Sequence, residues 1–144
     1  MVFVNWVSVL EHVHGHVGCL AAAAVTHPAL VLRKKDRADW AVASAVFFVL
    51  SAVAMGTYLY PIYRSRIKQR IFIETPAIGY LFERKEHLAY VATVLTIAGG
   101  VFYLLGRRGD ARLRMLAQRS FAISALAAWL TFLFGIVVAA TRSI

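Results

Sequence analysis

The sequence predicts an all-α integral membrane protein, a four-helix bundle with a polar interfacial segment between its second and third helices. Three observations carry that prediction. The 144 residues are 60% hydrophobic and 16% charged, with a mean hydropathy of +0.68, whereas soluble domains are roughly half apolar and a quarter charged. The apolar residues fall into four long blocks rather than an amphipathic spread, and a soluble domain this small could not hide so many runs of about twenty residues in one core. The basic residues gather at the ends of those blocks. A soluble enzyme, a disordered tail and a disulfide scaffold are thereby excluded.

The first block covers approximately 5–32 and is stopped by Arg33-Lys34-Lys35-Asp36-Arg37. It has no Lys or Arg before it and no small-residue cleavage pattern after it, so it reads as a span and not a cleaved leader. The second, 40–63, opens on Trp40 and closes on Tyr58, Tyr60 and Tyr63, an interfacial aromatic belt. The third, 87–105, begins at His87 and ends before Gly106-Arg107-Arg108; the fourth is 121–140. Each has the length a spanning helix needs, and hydrocarbon offers no partner for stray backbone groups, so each is helical. The stretch from Arg64 to Glu86 mixes Ile67, Ile71, Phe72, Ile73 and Ile78 with a basic run. It reads as a partly helical lid in the interface, broken at Pro76 and Gly79. The whole chain, 1–144, is one transmembrane domain.

The net charge of +9 would suggest nucleic acid in a soluble protein. Here the charges flank apolar blocks, where they set topology and meet anionic headgroups, so no nucleic-acid partner is expected. Arg33, Lys34, Lys35, Arg37, Arg107, Arg108, Arg112, Arg114 and Arg119 belong to the two short connections. Arg64, Arg66, Lys68, Arg70, Arg84, Lys85 and Arg142 belong to the opposite side. The bias favours both termini outside, in a bacterial inner membrane. The single cysteine, Cys19, forms no internal disulfide and reads as a small hydrophobe.

Histidine placement is where chemistry shows. Four of the five, His12, His14, His16 and His27, lie on the first helix, and His87 opens the third. Polar groups within a span are costly and are functional candidates by default. At 100° per residue, His12, His16 and His27 fall at about 0°, 40° and 60° on one face, with Cys19, Leu20 and Ala23 completing the stripe. His14 falls about 200° away from His12, nearer Glu11. The first and third spans run in the same direction, which brings His87 to the depth of His12 and His16. Gly15 and Gly18 thin the first helix beside them. Two imidazoles facing each other in an apolar gap are what the iron of a b-type haem uses as axial ligands. Arg64, Arg66, Lys68 and Arg70 return to the same side, where their cations suit haem propionates.

Four short spans, the run Glu11-His12-Val13-His14-Gly15-His16 and His87 at the head of the third span resemble small four-helix membrane haem proteins, cytochrome b-like and copper-resistance-D-like. The resemblance is one of architecture over the whole chain. It implies haem b, with His16 and His87 as ligands, His12 as substitute for His16, and electron transfer or small redox chemistry with a quinone or a diatomic gas. That would make the chain a membrane oxidoreductase. The second and fourth helices carry no histidine, so one haem is expected rather than two.

A second reading of the same residues is a zinc, copper or iron ion at His12, His16 and His87, an i, i+4 pair plus a third ligand. Glu11-x-x-His14 resembles half of a bundle di-iron site, but no second Glu-x-x-His exists. The third reading is non-catalytic: an accessory subunit of a membrane complex, or a homo-oligomer, joined through Gly15, Gly18 or Gly99.

Overall fold

The computed structural model describes residues 6–34 and 37–141, and at 66 and 67 the backbone alone. The regular structure among these residues is all helix. α1 spans Trp6–Val31, α2 Asp39–Tyr63, α3 Gln69–Glu74, α4 Pro76–Gly106 and α5 Ala111–Ala140. By length and composition α2, α4 and α5 are each apolar enough to cross a membrane, which makes this a multi-pass membrane protein. α1 is long enough, at 26 residues, but its histidines and Glu11 lower its apolar content.

The four long helices form an antiparallel up-down-up-down bundle. α1 packs on α2 and α5, and α4 packs on α5 and α2. α1 and α4 therefore stand across the bundle's diagonal. The centre is built from small or slender side chains: Ala21, Val25 and Ala29 of α1, Val42, Ala45 and Val49 of α2, and Ala117 and Ala125 of α5, closed by Tyr103 and Phe121. Such residues let backbones come close, the packing that membrane bundles rely on. Gly99 of α4 takes the face of the fully buried Phe121, whose ring would stand 3.1 Å from a Cβ there.

Polar groups inside the bundle bond between helices. Ser124 donates to the carbonyl of Ala92 (2.7 Å), which uses its one proton. Thr96 must then donate to Ser124 (2.7 Å), and the pair clasps α4 to α5. Gln118 donates to the carbonyl of Ala29 (3.1 Å), and Trp129 to Thr26 (3.1 Å), both tying α5 to α1. At the short-connection end, the Tyr103 hydroxyl accepts from Ala38 N–H (2.9 Å) and donates to Asp39 (2.7 Å). Asp39 is also paired with Arg107 (3.4 Å). α5 starts where Asp110 accepts from the backbone N–H groups of Arg112 and Leu113, a standard N-cap arrangement. Gly109 before it has φ +103°, a conformation open to glycine and strained for other residues.

The segment read as an interfacial lid has a different form. α2 continues through a π-helical turn, Arg64–Lys68, into α3 without leaving helical geometry. The chain reverses at Thr75, where φ is −144° and ψ 75°, and α4 begins at once. Pro76 starts this helix rather than breaking one, because a first-turn N–H has no helical partner to lose. Gly79 is also helical and leaves room for the Phe72 ring, which a Cβ would meet at 2.8 Å. The result is a helical hairpin closed by Tyr63 stacked on Phe82 (5.8 Å), Phe72 edge-on to Tyr80 (5.6 Å) and a Lys68–Glu83 ion pair (3.1 Å). Partial burial pulls the Lys68 ammonium pKa down, but the bonded Glu83, with Tyr60 and Glu86 nearby, outweighs this and holds it above the ordinary lysine value.

Candidate functional site: the histidines of α1

The face shared by His12, His16 and His27 is present in the structure, but it points outward. Val9, His12, His16, Leu20, Ala23, His27 and Leu30 are all exposed, one stripe along the outer side of α1. Ala21, Ala22, Val25, Pro28 and Ala29 form the buried side. Periodicity alone sets which residues share a face; the direction of that face follows from α2 and α5 packing on the opposite side.

Three of the imidazoles are held in the same way. The Nδ1 of His12 lies 2.7 Å from the carbonyl of Ser8, that of His16 2.7 Å from the carbonyl of His12, and that of His87 2.8 Å from the carbonyl of Glu83. A carbonyl only accepts, so Nδ1 carries the proton and donates. In the neutral ring the lone pair is then on Nε2. This is the tautomer and backing hydrogen bond that metal-bound histidines commonly show. His12 and His16 are four residues apart, so they are neighbours on one helix face.

His87 does not join them. It is exposed on α4, and α4 and α1 are not packing neighbours in the bundle. Among the described residues no three His, Cys, Asp or Glu side chains group closely enough to hold a metal ion. The arginines expected over a haem are also dispersed. Arg70 pairs with Glu74 along α3 (3.3 Å), Arg64 is exposed at the base of the hairpin, and the side chain of Arg66 lies outside the described residues.

The histidine turned inward is His14. Its ring lies against Gly56 of α2, where a Cβ would stand 3.2 Å from Cε1. Ala52 of α2 and Lys85 of α4 are its other polar surroundings, and its buried Nδ1 has no hydrogen-bond partner. Lys85 in turn passes Gly135 of α5, whose Cβ would meet the lysine stem at 3.8 Å. Gly56 thus makes room for His14, whereas a Cβ at Gly135 would only reach ordinary contact with the Lys85 stem. The roughly 200° offset of His14 from His12 marks it as the residue opposite the outward stripe, and that was the available signal. Compared with protein-family models, with curated proteins and with solved structures, the chain matches none.

Proposed function

We propose that the chain is a membrane protein that binds a transition-metal ion of the zinc or copper class through the Nε2 atoms of His12 and His16, with α1 as the fourth span. The observation that carries this reading is the pair of exposed imidazoles one turn apart, each with its Nδ1–H already bonded to a backbone carbonyl. Imidazole nitrogen suits zinc and copper, and two such donors on one helix chelate a single ion. The four-span arrangement puts both termini on one face. The surplus of basic residues in the short connections makes that the outer face of a bacterial inner membrane.

Haem b is the second reading, and His87 is the observation in its favour, since its Nδ1 bonds a backbone carbonyl as those of His12 and His16 do. Haem ligation by His16 and His87 requires the two to come from different molecules or from a rearranged bundle, because α1 and α4 sit diagonally. Electron transfer with a quinone or a diatomic gas belongs to this reading alone.

Elemental analysis and a visible spectrum of one detergent-purified preparation separate the two. Zinc or copper that co-purifies and is lost in His12→Ala and His16→Ala is the expected result. A reduced Soret and α-band that disappears in His87→Ala would replace it with haem. A colourless, metal-free protein would leave a non-catalytic membrane subunit.

A further inference from the structure

The outer faces of the long helices are not alike. α2 presents Trp40, Phe47, Leu50 and Tyr58; α4 presents Tyr90, Val91, Val94, Ile97, Val101 and Leu104; α5 presents Ile123, Leu126, Leu133 and Ile136. Those are lipid-facing surfaces. α1 interrupts its exposed apolar residues with three imidazoles, His12, His16 and His27, spread over four turns of one stripe, where α4 exposes one, His87, and α2 and α5 none. An imidazole turned toward hydrocarbon is costly, and polar side chains in spans face protein or water.

We infer that the outer face of α1 is the contact between two copies of this chain, and that the two copies together complete one metal site. The inference rests on the metal-binding reading above and names the partner of that site. Two arguments choose a second copy over a different protein. One chain offers two imidazoles and, among the described residues, no third ligand group near them, while a closed zinc site takes four ligands in tetrahedral geometry. Two copies in one membrane with the same orientation are related by a twofold axis along the bilayer normal. That operation faces each residue toward its own counterpart at equal depth, because a twofold interface uses the same patch on both subunits. His12 and His16 of both copies then meet as four Nε2 donors, and His27 meets His27 further along the helix. Val9, Leu20, Ala23 and Leu30 supply the apolar remainder of the contact. Zn(II) takes the Nε2 lone pairs of the neutral rings, any proton there passing to water, with no change of oxidation state.

The test uses the full chain in detergent, loaded with Zn(II) alone, with metal content and molecular mass measured on the same sample. The expected result is half a zinc per chain in a dimer that chelator converts to monomer. His12→Ala and His16→Ala should lose both the zinc and the dimer, and His87→Ala neither. One zinc per monomeric chain would overturn the inference while leaving the metal-binding reading intact; no zinc at all would overturn both. Membranes supply a check that does not depend on purification. In a Cys19→Ser background, Ala23→Cys should crosslink to its own counterpart with a short bis-maleimide, and Val94→Cys on α4 should not. Crosslinking at position 94 but not at 23 would assign the contact to the wrong helix for this proposal.

Discussion

At the scale of single residues, glycines that touch something differ from glycines that do not. Gly99 and Gly56 each face an aromatic ring at 3.1–3.2 Å, while Gly15 meets nothing within 4 Å. Gly99→Ala pushes on Phe121, which is fully buried and has no room to move, so a loss of about 1–3 kcal/mol is expected. Gly15→Ala adds a methyl to open space and should leave stability unchanged or raise it by up to about 1 kcal/mol. Thermal unfolding in one detergent ranks the two, and a Gly15→Ala variant as damaged as Gly99→Ala would contradict this geometry. His14 is a separate case. A buried ring nitrogen without a hydrogen bond is a liability that an apolar residue of similar size removes. His14→Leu removes that liability together with the ring's contact to the Ala52 backbone, so it should be neutral or stabilising by up to about 1 kcal/mol in the same assay, and a clear loss would mean that the ring's polar contacts outweigh the unpaired Nδ1.

At the scale of elements, the Thr96–Ser124–Ala92 relay and the α2–α4 hairpin make separable predictions. Ser124→Ala removes the donor to Ala92 and the acceptor for Thr96 together, and a cost of about 1–3 kcal/mol follows for buried groups left unpaired. Adding Thr96→Val to that variant should cost less than the sum of the two single changes, because both act on one network. Strict additivity in the double-mutant cycle would deny the bond between them. In the hairpin the partly exposed Lys68–Glu83 pair contributes about 0.5 kcal/mol. The aromatic contacts hold more, so Gly79→Val, which drives a side chain into Phe72, should open the tip. Faster tryptic cleavage after Arg70 in Gly79→Val than in Glu83→Gln is the expected order.

At the scale of the whole molecule, one tyrosine joins both short connections. Tyr103 bonds Ala38 and Asp39 at the start of α2, and Asp39 pairs with Arg107 at the end of α4. Tyr103→Phe should cost about 1–3 kcal/mol, leaving Ala38 N–H without its partner. Helix content by circular dichroism should stay unchanged while the melting temperature falls; a drop in helix content would mean that the clamp holds up the fold rather than its ends. Reporter fusions at the two termini address the span count. Both termini on one face fit four spans, and opposite faces would remove α1 from the set.

The helical class, the membrane setting and the sharing of one face by His12, His16 and His27 were all legible in the sequence, because each rests on composition or on a period of 3.6 residues. The same applies to the ends of α2, where Tyr63 closes the block and Asp39 adjoins Trp40. In the stretch from Arg64 to Glu86 the expected break at Pro76 falls at Thr75 just before it, but Gly79 breaks nothing and the rest is helical, because proline and glycine stop helices only in certain places. Pro76 sits where a helix begins, and Gly79 is required by a ring that sequence spacing does not bring near. The tertiary structure alone decided which way the histidine stripe turns. A helix pattern has no inside until a neighbour covers one side, and α2 and α5 cover the side carrying Val25 and His14. That choice turned His12 and His16 outward, away from the diagonal helix that carries His87.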